Sequence, residues 1–187
     1  MKFRAFISAD IVPNEALGSL LRELAMSRAD LKVVRPELLH VTLKFLGDTE
    51  EGLVEEIASA VEKSTEGVGG FKMRLVGMGA FPSMSNIRVV WVGIEDGDML
   101  GQIASRLDAL MSPLGFARDQ KGFKPHLTLA RARSGRDIAR VQEMIRANAA
   151  TEYGEYAVDR ILLKKSVLSP EGPRYSVVRE VPLGRSP

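Results

Sequence analysis

With 187 residues, 45% of them hydrophobic and 27% charged, the chain has the composition of a soluble globular protein long enough to bury one proper core, as one domain or one bilobal unit. It has no cysteine, which excludes a disulfide framework and every thiolate metal site and fits a reducing, cytoplasmic setting. A formal net charge of +2 is too small to announce a nucleic-acid binder; Lys2, Arg4 and Asp10 interrupt the apolar N-terminus, and no later run nears the roughly 20 apolar residues of a membrane span, so neither signal peptide nor anchor is expected.

Phe3 to Ile11 alternates as a strand that Pro13 ends. Leu17, Leu20, Leu21 and Leu24 then recur at helical spacing behind Asn14, a natural N-cap, predicting an amphipathic helix to about Met26. A short piece, Leu31 to Val34, and Pro36 lead into a strand over Leu38 to Leu46, which Gly47-Asp48 should terminate. Thr49 or a neighbour can cap the next helix, with Leu53, Ile57 and Val61 inward and Glu51, Glu55, Glu56 and Glu62 outward. Gly67, Gly69 and Gly70 break it before a strand from Phe71 to about Met78, and Phe81 to Asn86 reads as a connector at the midpoint.

From Ile87 the order begins again. A strand to Ile94, a helix with Leu100, Ile103, Leu107 and Leu110 on one face, a basic approach to a strand at His126, a helix with Ile138, Val141 and Ile145 aligned, and a long strand from Tyr156 to Leu168 follow. A turn at Pro170-Glu171-Gly172-Pro173 and a strand from Tyr175 to Leu183 close the chain. Both halves therefore read strand, helix, strand, helix, strand. The expected fold is α+β: one bilobal, pseudo-twofold duplication with repeats at about 1–82 and 86–187, each lobe a mainly antiparallel sheet backed by two helices, with a cleft between.

The chemistry lies in two tetrads, His40-Val41-Thr42-Leu43 and His126-Leu127-Thr128-Leu129, which hold both histidines at matching places of the repeat. Side chains alternate along a strand, so His40 and Thr42, and likewise His126 and Thr128, emerge on one face while the apolar residues turn inward. A lone histidine in an apolar strand is more often structural; the same tetrad twice is not a chance pattern. Imidazole gives or accepts a proton near neutrality, and two of them on opposite sides of a phosphorus atom make a base for the attacking oxygen and an acid for the departing one. Each threonine hydroxyl can hold a nonbridging oxygen. Between positions 118 and 136, Arg118, Lys121, Lys124, Arg131, Arg133 and Arg136 face a single acid, Asp119, which favours an anionic ligand. No P-loop, dinucleotide glycine fingerprint or His-Glu-x-x-His helix is present, and no His/Asp/Glu cluster stands at ligand spacing, so no metal and no cofactor are expected. The residues alone do not say which imidazole is the acid.

At these residues the chain resembles the two-histidine phosphoesterases, in their 2′-5′ RNA ligase or RNA 2′,3′-cyclic phosphodiesterase branch. The likeness runs through Arg4-Ala5-Phe6-Ile7, Leu39 to Gly47, Val89-Val90-Trp91-Val92-Gly93, Phe123 to Arg131 and Leu168 to Tyr175, nearly the whole chain. The resemblance implies hydrolysis of a terminal RNA 2′,3′-cyclic phosphate to a 2′-phosphate, with reversible 2′-5′ ligation in some members, on RNA ends such as tRNA fragments. It also implies that His40 protonates the leaving 3′ oxygen, that His126 activates water, and that Arg131 binds phosphate. Strict alternation puts Arg131 on the face opposite His126, so a bulge, a twist or the end of the strand must bring it round. The expected protein is a cytoplasmic monomer. The alternatives are a noncatalytic RNA-end binding module and an enzyme of the same fold acting on a small cyclic nucleotide or a 2′-5′ oligoadenylate. With 6% aromatic residues, recognition of an end is favoured over stacking along a strand.

Overall fold

The computed structural model describes residues 1–170 and 172–184. Among these residues nine strands form two antiparallel sheets, one of four strands in the order β3-β1-β8-β9 and one of five in the order β2-β6-β5-β4-β7. The strands are β1 (Lys2–Asp10), β2 (Leu31–Val33), β3 (His40–Glu50), β4 (Phe71–Ser83), β5 (Asn86–Glu95), β6 (His126–Ala132), β7 (Glu152–Val158), β8 (Arg160–Ser169) and β9 (Gly172–Pro182). Four α-helices among the described residues lie on the sheets: α1 (Glu15–Met26), α2 (Val54–Ser64), α3 (Asp98–Met111) and α4 (Ile138–Ala147).

Each helix forms where an apolar stripe can be buried. In α1 the Asn14 Oδ1 accepts from the Leu17 N–H at 2.9 Å, the expected cap, and Leu17, Leu20, Leu21 and Leu24 are buried. Ile57 and Val61 in α2, Leu100, Ile103 and Leu107 in α3, and Val141 and Ile145 in α4 do the same, with Met111 rather than Leu110 completing the buried face of α3. These residues and the inward faces of both sheets make one hydrophobic core.

Three expectations give way. Thr49 caps nothing: β3 runs through Gly47, which sits at φ +70° where the pairing with β1 slips, and Thr49 is buried in the strand with its hydroxyl donating to the Gly47 carbonyl at 3.1 Å. The long strand expected from Tyr156 to Leu168 is two strands, β7 and β8, separated at Asp159 and lying in different sheets. The connector expected at Phe81 to Asn86 is mostly hairpin, because β4 extends to Ser83 and only Met84 and Ser85 turn. Of the turn at Pro170-Glu171-Gly172-Pro173, Glu171 lies outside the described residues, as do the last three positions of the second repeat.

Each sheet is backed by two helices, but neither lobe is one half of the sequence. The four-stranded sheet takes β1 and β3 from the first half and β8 and β9 from the second, and carries α2 and α3. The five-stranded sheet takes β2 and β4 from the first half, β5, β6 and β7 from the second, and carries α1 and α4. The first half thus lends α1, β2 and β4 to the second half's sheet, and the second half lends α3, β8 and β9 to the first half's. The pseudo-twofold relation survives in the sheets, where β3-β1-β8 corresponds to β6-β5-β4.

Candidate active site

The two motif strands face each other, with residues of β3 and β6 within 8 Å at Cα. His40 opens β3 and His126 opens β6, each followed by the expected alternation: Val41, Leu43, Leu127 and Leu129 are buried, while His40, Thr42, His126 and Thr128 are half-buried. Both rings are anchored in the same way. His40 Nδ1 lies 2.7 Å from the Leu38 carbonyl oxygen, and His126 Nδ1 lies 2.7 Å from that of Lys124. A carbonyl oxygen can only accept, so the hydrogen-bond network assigns the proton to Nδ1 in each neutral ring and leaves Nε2 as the atom that takes or gives a proton.

Each motif strand then carries a bulge at its leucine. Ser8 pairs with Thr42 and Ile7 with Lys44, leaving Leu43 unpaired; Trp91 pairs with Thr128 and Val90 with Ala130, leaving Leu129 unpaired. Two consecutive residues therefore point inward, and the alternation inverts beyond them. In β6 this buries both Leu129 and Ala130 and returns Arg131 to the face of His126 and Thr128. The arginine that strict alternation sends to the wrong face is thus brought round by the bulge. Its charge reaches His40 and Tyr175 on the opposite sheet: it adds to the lowering that burial gives the His40 pKa and opposes the rise that burial gives that of Tyr175. In β3 the same inversion buries Lys44, whose Nζ stands 2.8 Å from Asp108 Oδ1 and 2.9 Å from the Ala117 carbonyl oxygen, and brings Phe45 to the face of His40.

The surroundings of the two imidazoles differ. His40 packs on Phe6, ring centres 4.9 Å apart, and meets Tyr175 edge-on at 5.4 Å. Its strand partner is Asp10, and Asp10 is ion-paired with the buried Lys164. The His40 pKa is held below the ordinary imidazole value, first by burial; the hydrogen bond to Leu38 and the Asp10 charge oppose this, and Lys164 and Arg131 reinforce it. His126 meets Phe81 edge-on at 5.0 Å, Phe81 lies 5.2 Å from Trp91, and the indole of Trp91 covers Gly79, where a Cβ would stand 2.2 Å from the ring. Only glycine fits beneath that ring.

His40 and Thr42 therefore share one face of β3, and His126, Thr128 and Arg131 share one face of β6. Of the remaining basic residues, Lys121, Lys124, Arg133 and Arg136 are exposed, and Arg118 is 3.9 Å from Asp108. Sequence reasoning missed Asp10, Lys164, Tyr175 and the aromatic packing behind each imidazole. A lysine set in the apolar run Ile161-Leu162-Leu163-Lys164 was the one available signal, since Lys is almost never buried unless paired. Among the described residues no group of three or more His, Asp or Glu side chains could hold a metal ion, and no helix is long and apolar enough to cross a membrane.

A family model described as the 2′-5′ RNA ligase superfamily matches residues 13–167. A relative from Archaeoglobus fulgidus named RNA 2′,3′-cyclic phosphodiesterase is 36% identical over 179 residues, 94% of this chain and 98% of the relative. One of the same name from Methanothermobacter thermautotrophicus is 34% identical over 178 residues, 94% of this chain and 96% of the relative. Among solved structures, TT0787 of Thermus thermophilus superposes with a TM-score of 0.76 at 27% identity, covering 97% of this chain and 98% of that one.

Proposed function

The chain belongs to the 2′-5′ RNA ligase superfamily, and on that premise we propose that it is an RNA 2′,3′-cyclic phosphodiesterase, opening the terminal cyclic phosphate of an RNA to a 2′-phosphate by metal-independent acid–base catalysis between His40 and His126. The observation that carries the reading is the matched anchoring of the two rings: each Nδ1 is tied to a carbonyl oxygen two residues back, so each presents Nε2 from a facing strand. His126 Nε2 accepts a proton from water as the water oxygen bonds to phosphorus. The bond from phosphorus to O3′ breaks in line, and His40 Nε2 donates its proton to O3′. The products are a 2′-phosphomonoester and a free 3′ hydroxyl, with His40 left neutral and His126 charged until solvent resets them. Thr42, Thr128 and Arg131 hold the nonbridging oxygens as negative charge develops.

Burial lowers the His40 pKa and so favours the neutral ring in the free enzyme, and the anionic phosphate of a bound substrate favours the charged ring that the acid needs. With the 5′ hydroxyl of a second RNA in place of water, the same two proton transfers let O5′ bond to phosphorus as the bond to O3′ breaks, which forms a 2′-5′ phosphodiester, and their reversal regenerates the cyclic phosphate and the 5′ hydroxyl; this accounts for reversible 2′-5′ ligation. The enzyme acts as a cytoplasmic monomer on RNA ends, tRNA fragments among them. The test is incubation with an RNA ending in a 2′,3′-cyclic phosphate in the presence of a chelator: the 2′-phosphate is the expected product. A 3′-phosphate product, or activity lost to chelator and restored by a divalent ion, overturns the mechanism.

A further inference from the structure

The two tetrads are alike, yet the proposed reaction needs one imidazole to start charged and the other neutral. Strand register shows where the likeness stops. Asp10 is the β1 residue opposite His40, and the β5 residue opposite His126 is Gly93. On the next strand of each sheet, Lys164 of β8 lies opposite Phe6, and its counterpart in β4, opposite Val89, is Phe81. Two positions of the pseudo-twofold that hold a carboxylate and an ammonium around His40 hold a glycine and a phenyl ring around His126.

The charged pair is built into the fold. Lys164 is 6% exposed in its side chain, an ammonium that stays in an interior only when paired. It is bonded to Asp10 and stands 5.9 Å from the centre of the Tyr175 ring, the same ring that meets His40 edge-on. It is too enclosed to serve as a substrate contact. Among the described residues, the titratable and charged groups facing His40 are Asp10 from β1, Lys164 from β8, Tyr175 from β9 and Arg131 from β6. Of these, Arg131 belongs to the phosphate site and Tyr175 stays neutral below its own raised pKa. Asp10 and Lys164 are left as a fixed dipole acting on one imidazole.

We infer that Asp10 and Lys164 are positioning residues that set the proton-transfer role of His40 apart from that of His126. The inference rests on the two-histidine reading above. It separates two opposed contributions: the carboxylate stabilises the imidazolium and the ammonium destabilises it, so removing one or the other must move His40 in opposite directions.

The test is a proton NMR titration of the intact enzyme, whose two histidines give two ring signals to assign, together with the pH profile of kcat/KM. Lys164→Met removes the ammonium at similar volume and leaves Asp10 uncompensated; Asp10→Asn preserves shape and leaves Lys164 uncompensated. The His40 titration is expected to rise in the first and fall in the second by about half a unit or more, one limb of the kcat/KM profile following it each time, while His126 moves less. Movement of His40 in the same direction in both variants, or a shift no larger than that of His126, overturns the inference. A His40→Ala assay reads the premise separately. Turnover that survives it sinks the two-histidine reading, whereas turnover lost in His40→Ala with a His40 titration indifferent to both charge variants sinks only the role of the pair.

Discussion

At the scale of the residue, the reactive atom is chosen by what holds the other side of the ring. Because Leu38 and Lys124 each offer a carbonyl to Nδ1, the proposed mechanism runs through Nε2 of both imidazoles, and replacing either by alanine is expected to lower kcat by about 10² to 10⁴-fold with the thermal midpoint close to wild type. Thr42→Val or Thr128→Val should cost less, since each removes one donor and no proton relay. A His40→Ala, His126→Ala double mutant with wild-type turnover would instead make the protein a binding module. The lowered pKa of His40 also links its titration to folding. The unfolded chain takes up that proton near the usual value of about 6.5, the folded one only at lower pH, so below 6.5 the unfolded state binds more protons and the native state loses ground. Relative to His40→Gln, the wild type is therefore expected to lose stability between pH 7.5 and 5.5, and urea midpoints at the two values measure it. A constant difference between the two proteins would show that burial does not depress this ring.

At the scale of the element, one bulge in each motif strand does two different jobs. In β6 it returns Arg131 to the cleft; in β3 it sends Lys44 inward to Asp108 of α3, an ion pair that ties the four-stranded sheet to its helix. The partners differ in their alternatives. Without Lys44, Asp108 keeps the Asp119 backbone N–H at 2.8 Å and some exposure to solvent, whereas without Asp108 the buried ammonium retains only the Ala117 carbonyl. Asp108→Ala should thus destabilise by about 1–3 kcal/mol and Lys44→Met by less, as read from urea unfolding; the reverse order would mean that the pair does not brace the strand. Such features explain what the sequence could carry. The helices were legible because their stripes are local, and the tetrads because His and Thr two apart share a face in any strand. Which device brings Arg131 round was not legible, because a bulge is a property of pairing with β5, invisible in β6 alone, and Thr49 was misplaced because Gly47 bends a strand that it appeared to end. Asp10 and Lys164 meet only through the β1–β8 pairing, between opposite ends of the chain, and no local pattern announces that.

At the scale of the molecule, the order of elements was readable and the assignment of elements to lobes was not. Reading two halves suggested two lobes, but α1 packs on the sheet that holds β5 and β6, and α3 on the sheet that holds β1 and β3. Each lobe draws strands from both sides of the midpoint, so neither half can bury its own faces. Fragments 1–85 and 86–187 expressed separately are accordingly expected to stay unfolded and, when mixed, to recover both circular dichroism and phosphodiesterase activity. A soluble, cooperatively melting single fragment would contradict the interleaving. Intact, the chain should melt in one transition, as a shared core requires.

That exchange of helices and strands is also the arrangement two copies of one short chain would adopt as a domain-swapped dimer, each subunit completing the other's sheet. In such a dimer the two imidazoles would be related by a dyad and would have to share one environment and one affinity for protons, so acid and base could differ only after substrate broke the symmetry. Covalent linkage of the two copies at the β4–β5 hairpin removes that obligation. Once joined, a mutation falls on one side only, and Asp10 and Lys164 can stand where Gly93 and Phe81 stand across the cleft. The gain from fusing two half-sites into a single polypeptide is, in these terms, the freedom of two identical histidines to become different.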